Sequence, residues 1–357
     1  MYKLRESSVF RQRLLLWYAK HARTLSWRNV GDPYRVWVSE VMLQQTTTQT
    51  VEGYFSRFVA AFPTVQALAE ADLDTVNRLW EGLGYYRRCS QLHQAAKIIV
   101  ADYGGVFPND ENAVRKLPGI GRYTANAVLS IAFDKRLPIL EANTQRLYAR
   151  LTALQSDPKE TAANEQLWQF AAGLLPKTGT GHFNQALMDI GNQVCTPKNP
   201  NCLVCPIREH CRAAALNLQD VIPLQKAKVP PIECTEIAVL VKRRGKILLM
   251  QYPAGVRWSG LWDFPRVQQQ ATPTATAAKL SALTGNHIIL GDVMTVLKHS
   301  VTKYRITLQF CEGCIDRKAV NHSQAEYETR WLTPDELPPL PMHSTARKLC
   351  AFAVQSR

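Results

Sequence analysis

The chain has no apolar run approaching the roughly 20 residues that a bilayer-spanning helix needs, so no membrane partner is expected. The opening segment MYKLRESSVFRQRLLLWYAK carries charges throughout and lacks a secretory cleavage site, so no export signal is expected either. Acidic residues are scarce: 29 Asp and Glu against 43 Lys and Arg leave a net charge of +14. That deficit points to a polyanionic partner, nucleic acid ahead of an anionic membrane surface. From Lys226 onward 18 basic against 10 acidic residues leave +8, with +6 before it, so both halves can meet the polyanion. Internal repeats and low-complexity tracts are missing, which excludes repeat architectures. A hydrophobic content of 46% with 20% charge is globular and excludes a disordered chain. The 9 cysteines, without an export signal, argue against a disulfide framework and for thiols used as ligands in a reducing compartment, hence a cytoplasmic location.

A length of 357 residues exceeds one ordinary core and suits two domains. Helical periodicity dominates residues 1–220. Asp32-Pro33 is a start signal for a helix through YRVWVSEVMLQQT. LDTVNRLW, SQLHQAAKIIVADY and NEQLWQFAAGLL continue the helical texture. Residues 221–233 (VIPLQKAKVPPIE), with three prolines, form a semi-extended linker. From 234 to 357 the pattern is that of a smaller α+β domain. TEIAVLVKRRGKILLMQY holds two apolar runs around a Gly-containing basic turn, a hairpin signal. DVMTVL, YRITLQFC and YETRWL are strand-like, and TATAAKLSAL is helical.

Cys195, Cys202, Cys205 and Cys211 close the helical region with spacing C-x6-C-x2-C-x5-C. Thiolates gathered so tightly need a metal or cluster to offset their repulsion. Zinc accepts four of them, while one wrapped loop suits an iron–sulfur cubane. Lys198, Arg208 and Arg212 lie in or beside this loop, where they can present to phosphates. Cys311 and Cys314 lack a second pair nearby and are expected in an ordinary turn between strands.

The segment NAVRKLPGIGRYTANAVLSIAF has helical character on both sides of Leu117-Pro118-Gly119-Ile120-Gly121. Glycines let the backbone turn sharply and approach a surface closely. The amides opening the next helix then favour an anion, here a DNA phosphate held without reading sequence.

LPGIGRYTA, an acidic residue about twenty positions on and the cysteine loop together resemble the helix-hairpin-helix DNA glycosylases of the endonuclease III superfamily. WVSEVMLQQT and WEGLGYYRRCSQLH resemble its MutY-type adenine-DNA glycosylases. The resemblance is strong to Cys211 and weaker beyond the linker. It implies a multidomain fold: an all-α helix-hairpin-helix glycosylase domain with an iron–sulfur loop at 195–211, then a smaller α+β Nudix-like lesion-recognition domain. It also implies a [4Fe–4S] cluster, and excision of adenine from double-stranded DNA holding A:8-oxoguanine or A:G mispairs. The protein is expected to act as a nucleoid-associated monomer.

Cleaving a purine N-glycosidic bond needs a proton on the leaving base and stabilisation of positive charge on the sugar, work that two carboxylates in different environments can divide. Glu40 lies in an apolar stretch with Trp37, Val38, Val41 and Met42, surroundings that raise a carboxyl pKa and suit a general acid. The resemblance gives Glu40 that role, toward adenine N7. It places the second carboxylate at Glu141 in ILEANTQR, where relatives carry aspartate followed by glycine and asparagine, and Asn143 beside it. Tyr123 stands where strand-nicking relatives carry a Schiff-base lysine, which implies a monofunctional enzyme leaving an abasic site. The target base must be flipped out of the stack, and the resemblance lines its pocket with Trp27, Arg28, Tyr123 and Asp189, the last replacing a customary glutamate. Because Glu141 is longer and Asp189 shorter than in relatives, the two walls are expected to have shifted together. Gln45, Thr46, Leu83 and Tyr85 match the wedge and reader of the opposite base, with Tyr85 intercalating.

WSGLWDFPRV resembles the Nudix-type part of the family but lacks the Glu-rich helix that would hold magnesium, so no pyrophosphohydrolase activity is expected. His299-Ser300-Val301-Thr302-Lys303 occupies the place of a Phe-Ser-His loop that senses 8-oxoguanine, with Thr302 keeping a hydroxyl. Two other classes stay open on sequence grounds: another superfamily glycosylase or strand-nicking lyase, against which Tyr123 counts, and a lesion-binding protein without catalysis, motivated by Glu141 and Asp189.

Overall fold

The computed structural model describes residues 7–28, 31–224, 229–316 and 324–355. By backbone packing they form two compact units: Met1–Glu70 with Gln94–Ala227, and Ala71–His93 with Lys228–Arg357. Among the described residues no helix is long and apolar enough to cross a membrane.

The helices up to the cysteine loop are α1 (Ser7–His21), α2 (Pro33–Leu43), α3 (Thr48–Ala61), α4 (Val65–Glu70), α5 (Leu73–Leu79), α6 (Arg87–Tyr103), α7 (Glu111–Lys116), α8 (Arg122–Phe133), α9 (Ala142–Thr152), α10 (Thr161–Leu174) and α11 (Thr180–Gln193), with short α12 (Arg212–Ala215) after it. In the first unit the main core joins α1, α9, α10 and α11 through Phe10, Leu14, Tyr148, Trp168 and Phe183. Asp32 caps α2, its carboxylate accepting from the Tyr34 amide at 2.9 Å, with Pro33 in the first turn. The helix ends at Leu43, short of the expected Thr46, because Gln45 takes a left-handed backbone (φ 61°) that no α-helix continues through.

At the hairpin between α7 and α8 only Gly119 needs glycine for its backbone, at φ 77°. Gly121 is extended (φ −88°) and caps α8, with open space where a side chain would project. The amides of the first turn of α8 have no partner inside the helix, since its first bond runs from Ala125 N–H to the Gly121 carbonyl.

The second unit carries β1 (Ile232–Arg243), β2 (Lys246–Gln251), β3 (Trp262–Asp263), β4 (Arg266–Gln268), α13 (Pro273–Thr284), β5 (Ile288–Val301), β6 (Tyr304–Ile315), β7 (Glu328–Leu332) and α14 (Ser344–Gln355). The sheet runs β3-β2-β1-β6-β5, with β4 also on β1 and β7 on β2; β1 and β6 are parallel and the other pairs antiparallel. The hairpin read around Arg244-Gly245 forms as β1–β2, both turn residues at positive φ as a tight right-twisted hairpin requires. Apolar clusters cover both faces: Leu240, Phe264 and Phe310 with α14 on one, Val239, Leu248 and Met250 with α13 on the other. The turn expected at Cys311 and Cys314 is not there. Both lie within β6, where their odd spacing leaves Cys311 buried and Cys314 exposed.

Candidate active site

Glu40 sits in the last turns of α2, buried among the apolar residues that flank it in sequence. Its Oε2 accepts a hydrogen bond from the Tyr123 hydroxyl at 2.6 Å, which brings α2 and α8 together at the side-chain level. Burial pushes the Glu40 carboxyl up to about 7, with the charge of Glu141 adding to the rise and the Tyr123 hydroxyl and Arg28 opposing it. Glu40 lines a cleft of about 400 Å³, mouth included, with Trp27, Arg28, Ser39, Gln185 and Met188.

Glu141 is the N-cap of α9. One carboxylate oxygen accepts from the Thr144 amide at 2.8 Å; the other accepts from the Asn143 amide at 2.8 Å and its side chain at 3.1 Å. The Thr144 hydroxyl accepts from the Glu141 amide at 2.9 Å, completing a capping box. The side chain is therefore folded back over the start of its own helix. Burial raises the Glu141 carboxyl above the ordinary range, while the Asn143 and Thr144 amides and the Arg146 charge pull it back. Glu40 thus feels the charge of Glu141, and the two carboxyls sit in unlike surroundings, one apolar and one ringed by donors.

Asp189, fully buried on α11, is claimed by two arginines. Arg28 grips it with two bonds at 2.6 and 2.7 Å, and Arg23 adds its amide at 3.1 Å and its Nε at 2.7 Å. Burial pushes this carboxyl up, but the Arg28 and Arg23 bonds and charges outweigh it and hold Asp189 below the ordinary range. Asp189 thereby sets the placement of Arg28, which lines the cleft. Glu141 and Asp189 share no hydrogen-bond partner among the described residues, so the expected joint shift of the two walls gains no support.

Trp27 is buried edge-on against Phe55 at 5.3 Å. Gln45 is exposed on its left-handed backbone and Thr46 is half-buried beside it. Leu117 is buried, whereas Gly119 and Gly121 beside it are exposed. In the second unit Leu83 is buried and Tyr85 is 49% exposed at φ 50°, its ring 5.3 Å from the Arg88 guanidinium. Thr302 is exposed at the β5–β6 turn (φ 51°), its hydroxyl donating to the Val301 carbonyl at 2.8 Å.

Arg23, Arg146 and Arg150 escape the sequence reading. Arg23 gives no local signal, because its partner lies 166 residues away. Asn143, Arg146 and Arg150 do show one: spacings of three and four put them along one side of α9. Arg146 donates to the Asn143 side-chain oxygen at 3.0 Å and to the Cys195 carbonyl at 2.7 Å. Buried Arg150 donates to Cys195 Sγ at 3.2 Å and to the Thr196 carbonyl at 2.8 Å.

Cys195, Cys202, Cys205 and Cys211 line one cavity with Arg150, Leu147 and Ile207. Among the described residues no three His, Cys, Asp or Glu side chains are gathered as around a single metal ion. The thiols instead face shared space beside a buried cation, a donor set that fits a cubane with a separate iron for each thiolate. Lys198, Arg208 and Arg212 are exposed around the loop.

Comparison with known proteins accords with this geometry. Residues 38–172 match the HhH-GPD superfamily of base excision DNA repair proteins, 195–211 the iron-sulfur binding domain of endonuclease III, and 236–351 the NUDIX domain. The cysteine loop thus holds a [4Fe–4S] cluster, which when bound would cross-link residues 195–211 through their own four thiolates. The chain is similar to the mouse adenine DNA glycosylase, 33% identical over 92% of this chain and 75% of the relative. It is also similar to the adenine DNA glycosylase of Buchnera aphidicola from Schizaphis graminum, 38% identical over 72% of this chain and 74% of the relative. Among solved structures it resembles a thermostable thymine-DNA glycosylase, with TM-score 0.54 and 28% identity over 59% of this chain and 97% of that one. A buried carboxyl lining a cleft, a glycine hairpin, a cluster loop and relatives matching most of the chain lead to one assignment: the chain belongs to the adenine DNA glycosylases of base excision repair.

Proposed function

We propose that this enzyme hydrolyses the N-glycosidic bond of adenine mispaired with 8-oxoguanine or guanine in double-stranded DNA, releasing the base and leaving an abasic site without nicking the strand. The observation that carries the reading is Glu40: a buried carboxyl whose pKa lies near 7, bonded to Tyr123 and facing the cleft. With Tyr123 donating to Oε2, the proton of Glu40 resides on Oε1. From there it can pass to N7 of a flipped adenine as the glycosidic bond breaks, a general-acid step. Glu141, its carboxylate oxygens held by the Asn143 and Thr144 amides, stabilises the oxocarbenium-like sugar and can accept it covalently before water arrives. Asn143 holds the Glu141 carboxylate, and Asp189 acts on the pocket through Arg28. Tyr123 has no amine to form a Schiff base, so elimination of the strand has no nucleophile at that position.

Gln45, Thr46, Leu83 and Tyr85 are assigned to the opposite base and Thr302 to the 8-oxoguanine edge. The Gly119–Gly121 backbone, with Leu117 seated in the core, grips phosphate. Single-turnover assays on duplexes with A opposite 8-oxoguanine, A opposite G and thymine glycol test the reading. Adenine release from the first two, with strand breakage only after alkali, is expected. Excision of thymine glycol, or binding without any release, would overturn it.

A further inference from the structure

The turn carrying Tyr85 stands on unfavourable backbone. Gly82, Gly84 and Tyr85 have φ of 94°, 75° and 50°. For a residue with a side chain this backbone is unfavourable and persists only where surroundings impose it. Part of the support is local: the Trp80 indole donates to the Gly84 carbonyl at 3.0 Å, and Arg88 donates to the same oxygen at 3.2 Å.

The rest comes from the C-terminal residues packed in the same unit. Arg347 on α14 meets Glu81 fork to fork, Nε and Nη2 each donating to a carboxylate oxygen at 2.8 Å. The guanidinium is itself fixed by the Leu337 carbonyl at 3.1 Å and the Leu340 carbonyl at 2.6 Å. On the other side of the turn the Tyr86 hydroxyl donates to the Met342 carbonyl at 3.2 Å and accepts from the Gly82 amide at 3.2 Å. The turn is thereby held at both ends, by residues more than 250 positions away.

We propose that Arg347 and the Met342 carbonyl clamp the Glu81–Tyr86 turn in the conformation that presents Tyr85 to the duplex, making Arg347 a positioning residue for invasion of the base stack. The proposal rests on the reading of Tyr85 as a wedge. A preset wedge avoids the ordering cost that a mobile turn would add on binding. The C-terminal unit then serves every substrate, whether or not the opposite base is oxidised.

The test uses the full-length chain and duplexes with a non-cleavable adenine analogue opposite G or 8-oxoguanine, with 2-aminopurine as neighbour to report unstacking. Arg347→Gln and Glu81→Gln should each weaken binding about tenfold, the scale of a lost charge-assisted pair. Each should at least halve the fluorescence rise on both duplexes, with saturating single-turnover rates within about twofold of wild type. The double variant should be no worse than either single one, since both remove one interaction. Tyr86→Phe, which deletes only a hydroxyl, should lose part of the rise and serves if an Arg347 variant fails to fold. A full rise at wild-type affinity in Arg347→Gln, or additive losses in the double variant, would overturn the clamp. If Tyr85→Ala gives the wild-type rise, the wedge reading falls first, independently of Arg347.

Discussion

At the scale of single residues, Glu141 does two jobs that substitutions can separate. It caps α9 with both oxygens and brings a carboxylate close enough to act on Glu40. Glu141→Gln keeps the cap's shape and loses the charge, so melting should move by only a few degrees while single-turnover excision falls about a hundredfold or more. Glu141→Asp, still a good cap residue, should keep excision within about tenfold. Equal rates for all three proteins would place the second carboxylate elsewhere. Glu141 and Asp189 have separate partners, so Glu141→Asp combined with Asp189→Glu should be additive within about 0.5 kcal/mol. Rates from the four proteins of that cycle check it, and recovery beyond additivity would restore the idea of walls that moved together. Glu40 was legible as a carboxylate in an apolar stretch, a local pattern, whereas Glu141 was placed only by the resemblance and its capping of α9 emerges from the structure. What Asp189 does was not legible, since its arginine partners are 161 and 166 residues distant.

At the scale of elements, the helices and the β1–β2 hairpin followed from periodicity and turn chemistry, while β1 begins at Ile232, inside the expected linker. The early end of α2 at Leu43 did not, because a left-handed Gln45 leaves no compositional mark. Nor did the continuation of the YRITLQFC strand past Cys311 through Cys314, whose pairing is decided by distant segments. The hairpin between α7 and α8 separates its two glycines. Gly119→Ala forces a side chain onto φ 77°, and should cost about 1 kcal/mol or more and weaken binding to undamaged duplex. Gly121→Ala meets open space at an ordinary φ and should stay within about 0.5 kcal/mol and near wild-type affinity. Thermal melting and a titration with unmodified duplex check both, and equal losses would show that backbone conformation is not what the loop contributes.

At the scale of the whole molecule, the sequence divides at its proline-rich linker, whereas packing assigns residues 71–93 to the unit of the C-terminal residues. Pairing over such separations is invisible to local pattern. It changes what truncation means. A chain ending before Cys234 loses Arg347 and Met342 along with Thr302. Excision of A opposite G should then fall as well, and A opposite 8-oxoguanine should fall further. Subsaturating rates on both duplexes check this, and an A:G rate equal to wild type would show that the turn at Tyr85 needs nothing from the C-terminal residues.

The most direct measurement is the pH dependence of single-turnover adenine excision in the wild type and in Glu40→Gln. A carboxyl whose pKa is raised to about 7 is protonated, and active as an acid, below that value. The wild-type rate should therefore be flat on the acidic side, fall to half near pH 7 and then drop about tenfold per pH unit. Glu40→Gln should bind the lesion duplex with little loss and show no such inflection, at a rate lower by about a hundredfold or more. A wild-type profile that stays level from pH 6 to 9, or a Glu40→Gln enzyme that keeps the inflection and the rate, would contradict the assignment of Glu40 as the proton donor.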